Sequence, residues 1–169
     1  MMISVVGGDK ASADVLAVAE EVGRELAERG CALVCGGRGG IMEAACRGAR
    51  SRGGHTIGIL PTANRRDAND YVEFPVVTGL GSARNAIVAL SGDAVIAIDG
   101  SYGTLSEIAL ALVFGKPVVS LASWSFTRDG HEAPPLLQAS DARDAVEKAV
   151  AAAQATADSE MREIPANGD

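Results

Sequence analysis

The chain has 169 residues, of which 47% are hydrophobic and only 4% aromatic, so we expect one domain with a core of Ala, Val, Ile and Leu. The formal net charge of −7 argues against a protein that binds nucleic acids or acidic membranes through its overall charge. The sequence has no basic leader and no apolar run of the roughly 18 residues that span a bilayer, so we expect a cytoplasmic protein with no membrane partner.

Short apolar runs alternate with helical patterns along most of the chain, which is typical of parallel α/β domains. The predicted strands are 3–6, 31–35, 56–60, 74–78, 95–98 and 118–121. The predicted helices are 11–29, 41–49, 82–90, 104–114 and 141–155, and the longer predicted loops are 62–71 and 122–135. We therefore predict a three-layer, Rossmann-like α/β fold with a parallel sheet of about six to seven strands. It forms a single domain, residues 1–157, which is followed by an acidic flexible tail, residues 158–169.

The cysteines and histidines of the sequence form no disulfide or metal-binding pattern. Cys31, Cys35 and Cys46 are an odd number of cysteines in a chain without a signal segment, which argues against a disulfide framework. We interpret them as residues of the core. His55 and His131 are isolated in the sequence, so we predict no metal site.

Glycines cluster directly after four of the predicted strands. The clusters are Gly7-Gly8, 36–40, Gly79-Leu80-Gly81 and 100–103. The carboxyl ends of parallel strands meet at one edge of the sheet, where ligands of such folds bind. Turn chemistry alone explains single glycines, but four glycine-rich turns at one edge favour a ligand that approaches the backbone closely.

The glycine turns do not complete the motifs of the common nucleotide-binding proteins. Met42 and Arg84 stand where the third glycine of a dinucleotide motif would follow Gly37 and Gly79. No Lys-Ser or Lys-Thr pair closes a P-loop. We therefore predict neither NAD binding nor Walker-type ATP hydrolysis.

Arg84 is the basic residue that points most clearly to an anion. It lies in the first turn of a predicted helix, where a positive charge opposes the helix dipole by roughly 0.3–1 kcal/mol. A bound phosphate explains this placement, because a guanidinium binds phosphate with two parallel hydrogen bonds. Lys10 and Arg38 lie near the same predicted edge, and for Lys10 alone a solvated charge is the simpler interpretation.

Glu107 has two interpretations that the sequence leaves open. Thr104-Leu105-Ser106-Glu107 fits the capping-box pattern, in which the glutamate turns back to the start of its helix. The other interpretation places the carboxylate beside a sugar, where it stabilises an oxocarbenium-like carbon or activates a water molecule.

Several of these motifs together resemble one known group of proteins. Residues 36–45 are similar to a GGxxGIMEAA turn, 56–61 to the strand that follows it, 83–85 to an arginine element and 100–107 to a GGxGTxxE motif. On these motifs the chain, over about residues 3–121, is identified as a member of the Lonely guy and molybdenum-cofactor carrier superfamily. Its members are often labelled lysine decarboxylase-like, but no residue pattern in this chain resembles a pyridoxal-phosphate lysine site.

The resemblance implies a set of functional residues. In Lonely guy enzymes the matching Arg and Glu cleave the N-glycosidic bond of a cytokinin nucleoside 5′-monophosphate, which implies Arg84 and Glu107 as catalytic residues. The implied ligand-binding residues are Gly7, Gly8, Gly36, Gly37, Arg38, Gly39, Gly81, Arg84, Asn85, Gly100, Ser101, Gly103 and Thr104. The enzymes usually carry Lys after the Arg, whereas Asn85 at that position is more similar to the carrier branch, which binds a phosphorylated pterin.

Two functions and one structural alternative follow. The first is a carrier-like protein that binds a small phosphorylated ligand, either a phosphorylated pterin (the molybdenum cofactor) or a nucleoside monophosphate. The second, alternative function is that of a nucleoside 5′-monophosphate phosphoribohydrolase. The structural alternative is an α/β protein with an empty site. The resemblance also implies a homodimer or homotetramer.

Overall fold

The computed structural model describes residues 1–127, 129 and 136–163. Within them the strands are β1 (Met2–Gly7), β2 (Ala32–Cys35), β3 (Thr56–Leu60), β4 (Phe74–Val77), β5 (Ala94–Ile98), β6 (Val118–Leu121) and β7 (Leu136–Ala139). The α-helices are α1 (Ala13–Glu28), α2 (Ile41–Ser51), α3 (Asn85–Ser91), α4 (Tyr102–Val113) and α5 (Ala142–Glu163). Short 3₁₀ turns lie at Arg65–Asp67 and Gly81–Arg84.

The strands form one parallel sheet in the order β4-β3-β2-β1-β5-β6-β7. The central strand β1 pairs with β2 on one side and β5 on the other, so that Ser4 lies opposite Val34 and Val95. The chain therefore runs outward from β1 to one edge and then crosses to β5. This confirms the predicted parallel α/β fold, with seven strands in the described part of the chain.

The helices form two layers around the sheet. Helices α1, α2 and α5 cover one face, onto which Ile3, Val5 and Ile96 project, and α3 and α4 cover the other, onto which Val6 and Val95 project. Both faces of the central strands are thus buried, as the continuous apolar runs predict.

Helices α1 and α2 pack with their backbones in close contact. A Cβ atom on Gly23 would lie 2.0 Å from the carbonyl oxygen of Ala45, and one on Gly48 would lie 1.9 Å from that of Glu20. No side chain fits at either position, so the two glycines hold α2 firmly against α1 and fix the start of α2 near the carboxyl edge of the sheet.

Two of the predicted helices differ from the observed ones. The helix predicted over 82–90 is divided into the 3₁₀ turn Gly81–Arg84 and the short helix α3, because the chain must tighten where it leaves β4 and crosses the sheet. Helix α4 begins at Tyr102, with Ser101 at its N-cap, and not at Thr104.

The end of the chain also differs from the prediction. Helix α5 continues to Glu163, beyond the predicted end at residue 155, because Glu, Met and Arg near its end favour a helix. Strand β7 is not among the predicted strands, since its apolar run is only two residues long. Part of the predicted loop 122–135, with His131, and residues 164–169 of the predicted tail fall outside the described residues. None of the helices in the described ranges is long and apolar enough to cross a bilayer.

Candidate functional site

A cavity of about 370 Å³ opens at the carboxyl edge of the sheet, between β1 and β5, where the strand order reverses. Among the residues of its wall are those that the sequence predicts for the site: Gly7, Gly8, Arg38, Gly81, Arg84, Asn85, Ser101, Gly103, Thr104 and Glu107. The turns that follow β1, β2, β4 and β5 therefore meet at one cavity.

Four residues predicted to bind the ligand lie outside this cavity. Gly39 lines a neighbouring cavity beside Arg38, and Gly100 lines two other cavities, of about 340 and 370 Å³, at the turn after β5. Gly36 lies behind Arg84, where a Cβ atom would come within 2.4 Å of Nη2, and Gly37 packs against β3. Gly36 and Gly37 thus make room for the wall of the cavity and do not form its surface.

The cavity wall also includes residues that the sequence argument missed, namely Asp9, Met42, Pro61 and Ser82. Each directly follows, or lies within three residues of, a glycine turn or a strand end. Their positions next to such turns are the one signal in the sequence that could have identified them.

Arg84 is a buried cation at the floor of the cavity. Its residue is 8% exposed, and its Nη1 donates to Glu107 Oε1 at 3.0 Å and also to Asn85 Oδ1. Its Nε is buried and has no hydrogen-bond partner among the described residues. A buried donor of this kind is costly to leave unpaired, so the guanidinium has capacity for a further acceptor close to it.

Asn85 links Arg84 to helix α4. Its Oδ1 accepts from Arg84, and its Nδ2 donates to Ser106 Oγ at 2.7 Å, while Ser106 Oγ donates to the Gly103 carbonyl at 2.7 Å. Both polar atoms of the Asn85 side-chain amide therefore have hydrogen-bond partners within the protein. These hydrogen bonds indicate that Asn85 holds the Arg84 guanidinium in position against α4.

Glu107 does not cap its helix. The N-cap of α4 is Ser101, Thr104 lies inside the first turn, and the Glu107 carboxylate is buried against Arg84 instead. The capping-box interpretation is therefore wrong. Burial raises the pKa of Glu107 to about 7, although the nearby Arg84 guanidinium acts in the opposite direction. A carboxyl group with this pKa exchanges its proton near neutral pH.

The first turn of α4 faces the cavity without a side-chain cap. Gly103 and Thr104 line the wall there, and no side chain in the described part of the protein bonds to the N-terminal N–H groups of α4. Such groups favour an anion. Trp124 packs beside this turn and donates from Nε1 to the Ser101 carbonyl at 3.3 Å.

The charges around the cavity are compatible with an anionic ligand. Arg38 is half-exposed at the rim, where its nearest acidic neighbour is Asp9, 3.8 Å away. Asp99 does not line this cavity and lies instead on a neighbouring one, together with Lys10. Among the residues that the structure describes, no group of three or more His, Cys, Asp or Glu side chains is placed to hold a metal ion.

The sequence model of the SLOG cluster4 family matches residues 1–157. The chain belongs to the SLOG cluster4 family. An uncharacterized protein of Archaeoglobus fulgidus is 44% identical to this SLOG protein over 122 residues, which are 72% of this chain and 80% of that protein.

Named relatives of this SLOG protein fall into two groups. The cytokinin riboside 5′-monophosphate phosphoribohydrolase of Mycobacterium tuberculosis is 35% identical over 66% of this chain and 65% of the enzyme. In the other group is the molybdenum cofactor binding protein of Rippkaea orientalis, a solved structure that is 37% identical with a TM-score of 0.79 over 89% of this chain and 95% of that protein. The matched region covers a little under two thirds of the mycobacterial enzyme.

A more distant structure shares the fold only. DNA processing protein A of Streptococcus pneumoniae is 21% identical with a TM-score of 0.63. The shared architecture is the parallel sheet with helices on both faces, and the match carries no information about ligands.

Proposed function

We propose that this SLOG protein binds a small phosphorylated ligand, a phosphorylated pterin or a nucleoside monophosphate, in the cavity between β1 and β5. The observation that carries this proposal is the buried Arg84 guanidinium, which is part of the cavity wall. Beside it lies the uncapped first turn of α4. Two sources of hydrogen-bond donors thus converge on one space, as phosphate recognition requires.

The shape of the wall fits such a ligand. A volume of about 370 Å³ is within the range of small-molecule sites, and Gly81 and Gly103, at which a Cβ atom would meet no atom within 4 Å, leave room for a ligand to reach the backbone. If the ligand is the molybdenum cofactor, Arg84, Ser101 and Thr104 would hold its phosphate, and the bound cofactor would supply the metal and its dithiolene chemistry. The likeness to cofactor-binding relatives over almost their full length supports this ligand class.

The first test is ligand-induced thermal stabilisation, with AMP and a phosphorylated pterin as probes. A ligand at a hundredfold excess over Kd adds about 2.7 kcal/mol of stability, which raises Tm by about 5–10 °C for a chain of this size. We expect this shift in the unmodified protein and in Arg52→Ala, whose arginine is exposed beside Glu28.

Two cavity variants should lose the shift. Arg84→Ala removes the buried cation. Gly103→Val adds a side chain at a helical position where a Cβ meets no atom within 4 Å, so it blocks the cavity without a clash. If Gly103→Val is folded and is stabilised by AMP as strongly as the unmodified protein, the ligand does not bind in this cavity.

A second candidate function is hydrolysis of the N-glycosidic bond of a nucleoside 5′-monophosphate. The observation that favours it is Glu107, whose buried carboxylate borders the cavity and has a pKa of about 7. An ionised carboxylate there would stabilise positive charge on the sugar carbon as the base leaves. The relatives from Mycobacterium tuberculosis and rice that carry this activity by name support the candidate.

Release of free base from AMP and from a cytokinin riboside monophosphate separates the two functions. A hydrolase should release base, with kcat/KM rising as the pH passes through about 7 and Glu107 ionises. Glu107→Gln should lower the rate by roughly 10²–10⁴-fold, the usual contribution of a positioned acid or base. Thermal stabilisation without release of base would instead support the carrier.

We also propose that the protein forms a homodimer or homotetramer. Large apolar side chains are exposed on β4, on the turn that follows it, on α3 and on α4; they include Phe74, Leu80, Leu90 and Val113. Exposed apolar surface of this extent marks an interaction surface more often than a free one. A second copy of the chain would cover these side chains.

A further inference from the structure

Two buried cysteines lie side by side beneath the cavity. Cys35 is the last residue of β2 and Cys46 lies in the middle of α2, and both are completely buried. Their Sγ atoms are 3.5 Å apart. Cys31 lies at the other end of β2, where its Sγ is near the Arg29 carbonyl.

We propose that Cys35 and Cys46 are an oxidation site, at which a peroxide converts the two thiols to an intramolecular disulfide. The Sγ–Sγ separation has to shorten only from 3.5 Å to about 2.05 Å. Neither cysteine has an assigned role in ligand binding or hydrolysis, so this inference does not depend on the proposed function.

The hydrogen bonds and burial of the two thiols indicate different roles for them in the reaction. Cys35 Sγ shares a hydrogen bond with Cys46 Sγ and accepts one from the Gly37 N–H at 3.3 Å, and these bonds lower the pKa of Cys35 despite its burial. Hydrogen bonding to Cys35 and burial raise the pKa of Cys46. Cys35 is therefore the thiolate that reacts first, and Cys46 is the thiol that resolves.

The chemistry balances with hydrogen peroxide as the oxidant. The Cys35 thiol gives up its proton, its sulfur attacks one peroxide oxygen, and the O–O bond breaks; the leaving hydroxide takes up that proton as water, and Cys35 is left as a sulfenic acid. Cys46 then gives up its proton, and its sulfur attacks the Cys35 sulfur and displaces the hydroxyl as water. Two thiols and one peroxide thus give one disulfide and two waters.

The packing decides which part of the protein moves when the bond forms. Helix α2 is held against α1 by the backbone contacts at Gly23 and Gly48. Cys35 is the last residue of β2, so a shift of its backbone is passed directly to the turn 36–40 that follows it. Gly36 in that turn lies directly against the Arg84 guanidinium, where even a Cβ atom would come within 2.4 Å. Oxidation thus changes the wall behind the buried cation.

The test treats the reduced full-length protein with hydrogen peroxide, alkylates the remaining thiols and maps the peptides by mass spectrometry. We expect free thiols to fall from three to one, with Cys35 linked to Cys46 and Cys31 alkylated, and dithiothreitol to restore all three. Cys31→Ser should lose two thiols in the same way, whereas Cys46→Ala should form no link. Links through Cys31, or oxidation beyond the sulfenic acid on one cysteine without a Cys35–Cys46 link, would overturn the proposal.

Hydrogen exchange tests the structural consequence without any ligand. Amide exchange in peptides that cover the turn 36–40 should change on oxidation and return on reduction, while exchange in β6 should not. Cys46→Ala, treated in the same way, should show no change in the turn. A disulfide that leaves exchange at 36–40 unaltered would show that the bond forms without moving the wall of the cavity, and that would contradict the coupling.

Discussion

At the scale of single residues, the cavity depends on a pair of charges that the fold takes out of water. Arg84 and Glu107 meet at 3.0 Å, and their side chains are only 10% and 7% exposed. Burial makes ionisation of Glu107 costly, and the guanidinium offsets only part of that cost. A carboxyl group held in this state lowers stability at neutral pH, which is a known feature of functional sites.

Glu107 should therefore leave a signature in the pH dependence of stability. Its pKa is about 7 when folded and near 4.5 when unfolded, so the folded state keeps a proton that the unfolded state loses. The free energy of unfolding should fall as pH rises from about 4.5 to about 7 and stay lower above that range. In Glu107→Gln this contribution, on the order of 3 kcal/mol, should be absent.

Urea denaturation from pH 5 to pH 8 measures this difference between the unmodified protein and Glu107→Gln. Glu28→Gln, at an exposed position, is the matched control and should follow the unmodified protein. Parallel pH curves for Glu107→Gln and the unmodified protein would show that the pKa of Glu107 is not raised in the folded state.

At the scale of elements, helix packing places the cavity wall, and glycines make that packing possible. Gly48 in α2 faces the Glu20 carbonyl so closely that an added methyl group would overlap it. The same helix begins at Ile41, whose N–H donates to the Gly8 carbonyl at 3.1 Å and ties α2 to the turn after β1. A change in how α1 and α2 pack is therefore passed directly to the cavity.

Two glycine-to-alanine substitutions in helices should have opposite effects on stability. Gly48→Ala forces α1 and α2 apart and should cost about 1–3 kcal/mol. Gly103→Ala adds its methyl group in open space within α4 and should gain up to about 1 kcal/mol, because alanine favours a helix. The free energies of unfolding in urea provide the comparison, and equal effects at the two sites would contradict the close packing of α1 and α2.

The elements also show what sequence can and cannot predict in this protein. Val95 to Ile98 is an apolar run that only a buried strand explains, and it is strand β5. Thr104-Leu105-Ser106-Glu107 fits a cap, but the true start of α4 is two residues earlier. The partner of Glu107 is Arg84, 23 positions away, and that contact depends on how α3 packs against α4. Patterns along the chain carry no information about such packing.

At the scale of the whole molecule, the two faces of the sheet are not covered equally. Three helices lie on one face, and only α3 and α4, among the described helices, lie on the other, where Leu90 is 54% exposed and Val113 78%. We therefore propose that the oligomer interface lies on this second face, which α3 and α4 cover.

Leu90→Glu should therefore reduce the oligomer to a monomer, because a charge would be buried in the interface. Size-exclusion chromatography with light scattering measures the mass in solution. Ala17→Glu, at an exposed position of α1 on the other face, is the matched control and should leave the mass unchanged. A monomeric unmodified protein, or a Leu90→Glu protein of undiminished mass, would contradict an interface at this place.

The single tryptophan of the chain gives the protein a fluorescent probe at a useful position. Trp124 is bonded through its indole N–H to the carbonyl of Ser101, the residue at the N-cap of α4. An anion that binds at that end of the helix, or a shift of the turn, should change the polarity around the only tryptophan of the sequence. Tryptophan emission spectra of the unlabelled protein should thus give binding curves in real time. Trp124→Phe, which has no tryptophan, is the control for background emission.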